Sequence, residues 1–233
     1  MPHRFDGQEV LVIGGTSGIG AGIAAGFRAA GARVTATGAT AAECGEPGTT
    51  PLDVRDAGAV AALIGALPRL DHLIYAAGII RRGAEHDPAI FAEVIGVNLT
   101  GAMRAAAAAR PLLAASRGTL ILTASMHSFF AGPLIPGYSA SKGGIAQLTK
   151  SLAIAWAEEG IRVNALAPGW IATPLTAALR DDPARAAPIL ARTPLGRWGR
   201  PEDIAGPALF LASPAAAFVT GTILPVDGGY LAA

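Results

Sequence analysis

Short apolar or β-branched runs alternate along this chain with longer alanine-rich stretches, and the alternation predicts its architecture. The short runs, read as strands, are Glu9–Ile13, Arg33–Thr37, Thr50–Asp53, His72–Tyr75, Thr119–Thr123, Arg162–Leu166 and Thr222–Pro225. The longer stretches predict helices at about 19–30, 57–67, 88–114, 137–159 and 201–212. The strand runs lack clean apolar/polar alternation, so both faces of each strand are expected to be buried. Strands that alternate with helices then predict an α/β fold, a doubly wound parallel sheet flanked by helices.

One stretch breaks the rhythm. Between Thr37 and Asp53 two prolines and three glycines leave room for at most one short helical turn. The crossover after the second strand is therefore expected to be shortened, leaving that edge of any ligand pocket more open. No linker, low-complexity tract or short repeat interrupts the chain, so residues 1–233 are expected to form a single domain.

Composition narrows the function classes. Of 233 residues 52% are hydrophobic and 15% charged, which argues for a packed core and against disorder. The net charge is +1 with scattered basic residues, so nucleic acid is not an expected partner. A single cysteine, Cys44 in a Gly/Pro-rich loop, cannot form an internal disulfide, which fits a reducing compartment. The first residues, Met1 to Ile13, hold an apolar run too short for a secretory leader. Arg104 and Arg110 interrupt the apolar stretch Ala102 to Ala115, so no membrane span is expected there. The expected location is the cytoplasm. No metal site is expected.

Chemistry enters at the first predicted strand. Val10 to Ile13 run into Gly14-Gly15-Thr16-Ser17-Gly18-Ile19-Gly20 and then a helix. A strand, a glycine-rich turn and a helix in that order suit a dinucleotide, because glycines admit a pyrophosphate close to backbone N–H groups at the helix N-terminus. The spacing is G-x-x-x-G-x-G rather than G-x-G-x-x-G. The coenzyme form depends on the end of the second strand, where Thr37, Gly38 and Ala39 offer neither an acid for a ribose nor a cation for a 2′-phosphate. NAD or NADP both remain open, with a slight lean to NAD.

Pro136-Gly137-Tyr138-Ser139-Ala140-Ser141-Lys142 opens another predicted helix, and Tyr138 and Lys142, four apart, project from one face of it. A nearby ammonium and a helix N-terminus both favour a phenolate, so the Tyr138 pKa is expected to be lowered. A phenol so tuned can give a proton to a carbonyl oxygen or take one from an alcohol. Ser125, just past the predicted strand Thr119–Thr123, could share that oxygen. Asn98 is a polar residue in an apolar helical stretch and needs a partner.

With these motifs in order, the chain resembles the short-chain dehydrogenase/reductase family over essentially its whole length. The resemblance implies a Rossmann-like sheet and an NAD(P)-dependent oxidoreductase that interconverts a secondary alcohol and a ketone. It implies catalytic roles for Ser125, Tyr138 and Lys142, with Asn98 helping to hold a proton-relay water. It implies coenzyme contacts from Gly14, Thr16, Ser17, Gly18, Ile19 and Gly20, and from Asp53 and Val54 at the adenine. Further contacts are implied for Ala76, Ala77 and Gly78, and for Pro168, Gly169, Ile171 and Thr173 at the nicotinamide carboxamide. Tyr138 and Lys142 are expected to touch the coenzyme too. Two departures stand out: Ile13 where the family usually has Thr, and Tyr75-Ala76 where it usually has Asn-Asn. Both put local bracing in question rather than chemistry.

Finer similarity lies in Ala77 to Arg82, Ala124 to Phe129 and Arg192 to Gly199, which resemble the branch acting on sugar acids and polyols, such as gluconate 5-dehydrogenases and 2-deoxygluconate 3-dehydrogenases. An anionic hydroxylated small molecule would suit a pocket with Arg or His donors. His127 and Trp170 are the candidate substrate contacts, while Arg81, Arg82 and Arg192 read first as solvated or ion-paired. Residues 175–200, rich in proline, read as short helices joined by turns and a candidate lid. The alternatives are a 3-oxoacyl-thioester (acyl-carrier-protein) reductase and a cofactor-binding sensor without turnover. The family resemblance implies a homotetramer, and the apolar Val219–Ala233 stretch is compatible with an interface.

Overall fold

The computed structural model describes residues 4–233; the reading of Met1 to His3 as no part of a leader lies outside the described residues. Seven parallel strands form one sheet in the order β3-β2-β1-β4-β5-β6-β7. They are β1 (Glu9–Ile13), β2 (Arg33–Gly38), β3 (Thr49–Pro51), β4 (His72–Tyr75), β5 (Thr119–Thr123), β6 (Arg162–Pro168) and β7 (Ile223–Val226). Every strand run predicted from the sequence is present, with ends displaced by a residue or two.

The burial pattern explains why the strand runs lack alternation. Leu11, Ile13, Leu73, Tyr75, Leu120 and Leu122 belong to one core cluster, while the intervening Val10, Val12, Ile74 and Ile121 belong to a second. Successive side chains of a strand point to opposite faces, so a sheet buried on both sides needs apolar residues at every position. Helices α1 (Gly18–Ala29) and α8 (Pro201–Ala212) pack together over the second cluster. On the other face lie α2 (Ala57–Gly65), α3 (Pro88–Ile95), α4 (Gly101–Ser116) and α5 (Pro136–Ala155), with α2 against α4 and α3 against α5.

Three local features position the site. The crossover between β2 and β3 is reduced to a 3-10 turn, Ala41–Glu43, as its prolines and glycines predict. The single helix predicted at 88–114 is instead interrupted by a π turn, Gly96–Thr100, between α3 and α4. This long run, 88–116, is apolar enough by length and composition to cross a membrane, yet it packs as a layer of the fold. Arg104 donates to the Arg55 carbonyl, and Arg110 pairs with Glu159.

The third feature is a neck. Ile171 and Gly199 form an isolated parallel bridge in which Gly199 N–H donates to the Trp170 carbonyl (2.9 Å) and Ala172 N–H to that of Gly199 (2.8 Å). Between the two sides of this neck run a 3-10 turn, Pro174–Thr176, and two short helices, α6 (Ala177–Arg180) and α7 (Pro183–Ala191).

Candidate active site

The sheet order reverses between β1 and β4, and a crevice opens beyond the C-terminal ends of these strands. The Gly14 turn meets the Ala76–Gly78 segment there so closely that a Cβ on Gly14 would lie 2.5 Å from the Ala77 nitrogen. A Cβ on Gly20 would lie 2.0 Å from the Gly14 carbonyl oxygen. Gly14 and Gly18 also have positive φ, 78° and 50°, a backbone region that favours glycine. The missing side chains thus let α1 start directly against the turn. Ser17 caps α1 without a side-chain hydrogen bond, so its hydroxyl and the first N–H groups are free.

The result is a cleft of about 510 Å³ lined by the whole turn from Gly14 to Gly20 except Gly15, by Asp53 and Val54, by Ala76 to Ile79, and by Thr173. Its size, its bare helix N-terminus and its glycine floor fit a dinucleotide. Pro168 and Gly169 sit at the end of β6, where Gly169 packs on Asp227, and Ile171 is buried in the second core cluster; none of these three lines the cleft wall. Thr37 takes over the bracing in question at Ile13, its hydroxyl accepting from the Gly14 N–H at 3.2 Å. At the tip of β2 an acid does appear, from the shortened crossover: Glu43 lines the cleft and its carboxylate accepts from Ala39 N–H at 2.9 Å. Glu43 is not legible from the strand sequence, because the 3-10 turn after β2 brings it back to the strand tip.

Next to this cleft the chain gathers the four catalytic candidates. Lys142 is buried on α5, its Nζ donating to the Thr123 carbonyl at 2.6 Å and lying 5.6 Å from the centre of the Tyr138 ring. Burial pushes its pKa down to about 8. Ser125 caps a 3-10 turn, Met126–Ser128, and its hydroxyl accepts from His127 N–H. Ser128 ties that turn to α5 through the Lys142 carbonyl at 2.6 Å. Asn98 is fully buried in the π turn, where its amide brackets Ile79 by accepting from the N–H and donating to the carbonyl. It also donates to Ser141 on α5. These bonds supply the partner its burial demands, and a π turn is a common way to aim a functional side chain.

Tyr75 explains the second departure. Its hydroxyl donates to the Val97 carbonyl inside the π turn at 2.6 Å. Gly101 makes room for it, since a Cβ there would lie 2.4 Å from the Tyr75 oxygen. An aromatic hydroxyl thus braces the segment that carries Asn98.

One expectation is corrected. The Tyr138 phenol is held above its ordinary pKa, not below it. Burial is the main cause, and it outweighs the opposing hydrogen bond with Ser125. Glu85 raises the value further and Arg82 lowers it. The Lys142 ammonium is engaged with the Thr123 carbonyl rather than with the phenol.

His127 lies where the sequence put it, its ring 5.9 Å from that of Tyr138 and nearly perpendicular to it. Its Nδ1 is buried without a partner, as is Nε1 of Trp170. Trp170 packs edge-on against Trp198 at 5.7 Å, at the neck, and against Tyr230. Arg81 pairs with Glu93, and Arg192 stacks 4.4 Å over the Tyr230 ring. Arg82 differs: among the described residues its guanidinium has no hydrogen-bond or ion-pair partner, while its charge acts on both Tyr138 and His127. Partial burial and then the neighbouring Arg185 of α7 hold Arg82 below the usual guanidinium value.

Fold and site together define a nicotinamide-dinucleotide oxidoreductase with a tyrosine–lysine pair beside the coenzyme cleft. A family model described as Enoyl-(Acyl carrier protein) reductase (adh_short_C2) matches residues 14–231. The chain is 41% identical to the 2-dehydro-3-deoxy-D-gluconate 5-dehydrogenase of Pseudoalteromonas atlantica, covering 97% of each protein. It is equally identical to the galactitol 2-dehydrogenase (L-tagatose-forming) of Cereibacter sphaeroides, over 97% of this chain and 96% of that one. A gluconate 5-dehydrogenase from Burkholderia cenocepacia, solved in complex with NADP and tartrate, superposes with a TM-score of 0.92 at 35% identity, covering 99% of this chain and 97% of that one. The chain belongs to the short-chain dehydrogenase/reductase family and is an NAD(P)-dependent oxidoreductase that interconverts a secondary alcohol and a ketone. The lean to NAD finds no support in these relatives, since the solved one carries NADP.

Proposed function

We propose that this enzyme oxidises a hydroxyl of a sugar acid, or reduces the corresponding ketone, with Tyr138 as the general acid/base. The observation that carries the reading is the exposed Arg82 guanidinium in the loop after β4, which has no hydrogen-bond or ion-pair partner among the described residues and whose charge reaches Tyr138 and His127, with Arg185 as a second cation acting on it. Two neighbouring unpaired cations repel, and a substrate carboxylate between them relieves that repulsion through charge-assisted hydrogen bonds. The sugar-acid relatives support the same class, and the galactitol relative keeps neutral polyols as the comparison substrate.

A nicotinamide coenzyme, when bound, would supply or accept the hydride. In the reducing direction Ser125 holds the substrate oxygen and the Tyr138 phenol, which burial keeps protonated, gives it a proton; in the oxidising direction Tyr138 first loses its proton to solvent and then takes the one from the alcohol. Lys142 keeps a positive charge beside the ring below a pH of about 8. Asn98 holds Ile79 and α5 in register and so fixes the floor between coenzyme and substrate. The coenzyme contacts are those lining the cleft from Gly14 to Gly20, at Asp53 and Val54, at Ala76 to Gly78 and at Thr173, with backbone help from Pro168, Gly169 and Ile171. The segment 175–200 closes over the substrate, and His127 and Trp170 meet it. Between the two coenzyme forms, Glu43 at the β2 tip disfavours a 2′-phosphate by like charge, and the NADP of the solved relative weighs the other way. A homotetramer accords with the family resemblance and a cytoplasmic location with the single cysteine, and the exposed Phe218 and Ile154 suit an interface between copies.

A spectrophotometric screen of sugar acids, neutral polyols and 3-oxoacyl thioesters with each coenzyme tests this. Turnover is expected with hexonates. Activity on acyl thioesters alone overturns the substrate class, and no turnover with any substrate favours a sensor. Tyr138→Phe is expected to lower kcat by at least about a thousandfold with coenzyme affinity retained.

A further inference from the structure

The loop between β4 and α3 carries a buried carboxylate with no part in the mechanism above. Glu85 is 1% exposed, and both its oxygens are engaged. Oε1 accepts from the Arg81 N–H and Oε2 from the Tyr138 N–H, each at 2.7 Å. The N-terminus of α5 has no cap of its own: Ile135 stands at the cap position without a side-chain bond, and Pro136 has no N–H to offer. Glu85, distant in sequence, satisfies the third position of the helix, where Tyr138 sits. Gly137 eases this contact, because a Cβ there would lie 3.3 Å from Oε2 and 3.2 Å from the Phe91 ring and would crowd both. Two flanking bonds lace the same segments together, Gly83 N–H to the Leu134 carbonyl and His86 Nε2 to the Pro133 carbonyl.

We propose that Glu85 is a positioning residue that fixes the backbone of Tyr138 relative to the Arg81–Arg82 loop, joining the proton-transfer group to the substrate-binding loop through one carboxylate. The inference rests on the reading of Tyr138 as the general acid/base. A buried anion at the start of a helix is favoured by the free N–H groups and the local dipole. It acts on the phenol as well as on the backbone. The groups facing Tyr138 are Lys142 on α5, Ser125 and His127 from the turn after β5, and Arg82 and Glu85 from the loop; of these, Glu85 is the one anion. Its charge keeps the phenol protonated to higher pH, against the pull of Arg82.

The test compares Glu85→Gln, Glu85→Ala and Tyr138→Phe with the wild type, measuring kcat, KM, coenzyme affinity and the pH profile of alcohol oxidation. Glutamine keeps the shape but has one acceptor oxygen for two N–H groups and no charge. Glu85→Gln is expected to lower kcat several-fold and to move the alkaline-rising limb of the profile to lower pH by roughly half a unit or more. Glu85→Ala is expected to lower kcat by about tenfold or more, with coenzyme affinity nearly unchanged because Glu85 does not line the coenzyme cleft. A lower kcat with an unmoved profile in both variants overturns the proposal and leaves Glu85 as a fold-stabilising group. So does a Glu85→Gln enzyme with wild-type kcat and profile while Tyr138→Phe is inactive. An active Tyr138→Phe enzyme overturns the underlying reading instead. Coenzyme binding by each variant shows that it has folded.

Discussion

The two ends of the cleft are shaped by opposite means. At the coenzyme end the chain works by omission: Gly14 and Gly20 remove side chains so that backbone meets backbone, Gly18 leaves room beside Thr173, and the groups offered to the cleft are main-chain N–H groups at the start of α1. At the substrate end it works by added side chains. Arg82, Glu85, His127 and Tyr138 come from three separate segments, tied by one long-range hydrogen bond, Glu85 to the Tyr138 N–H, and by local bonds within the two loops. Backbone geometry tolerates no substitution but says little about ligand identity. Side-chain geometry can be retuned residue by residue, which is where a family with one reaction can vary its substrates.

The largest effect on binding should come from adding a single methyl group at the coenzyme end. Gly20→Ala forces a Cβ to within 2.0 Å of the Gly14 carbonyl, so α1 must move off the turn. Coenzyme affinity measured by fluorescence titration is expected to fall by about a hundredfold or more, which corresponds to about 2.7 kcal/mol. Near-normal affinity would mean that the end built by omission is more plastic than the geometry implies. A smaller effect is expected at the other end. Arg82→Gln should raise KM for a hexonate by about tenfold, the scale of one hydrogen bond to a charged group. KM for a neutral polyol should change little, and an equal loss for both would remove the carboxylate role of Arg82. The smallest effect should be that of Tyr75→Phe, which deletes the hydroxyl bond to Val97 and leaves the ring in place. Stability is expected to fall by about 1 kcal/mol in denaturant melts, with a modest loss of kcat as the Asn98 segment loosens.

The difference between the ends also decides what was legible in the sequence. Strands buried on both faces announce themselves by unbroken apolar runs, and the glycine turn by its position between strand and helix. Tyr138, Lys142, Ser125 and Asn98 could be picked out because each sits at a recognisable spacing within its own element. The rest depended on contacts across the chain. Glu85 lies 53 positions from the Tyr138 nitrogen it holds. Glu43 reaches the β2 tip by folding back over a shortened crossover, and Thr37 braces a turn that precedes it by a whole helix. The π turn was hidden because its residues have ordinary helical character; only Asn98, a polar residue in an apolar helical stretch, hinted that something there was different. The direction of the Tyr138 shift was misjudged for a similar reason. Sequence spacing places the lysine on the right face but does not reveal that its ammonium is committed to Thr123.

Tyr75 and Gly101 are coupled positions. A Cβ at 101 would lie 2.4 Å from the Tyr75 oxygen, so a side chain there must displace the hydroxyl from its bond to Val97. Substitutions at the two positions therefore do not add: the cost of a methyl group at 101 depends on whether the hydroxyl at 75 is present.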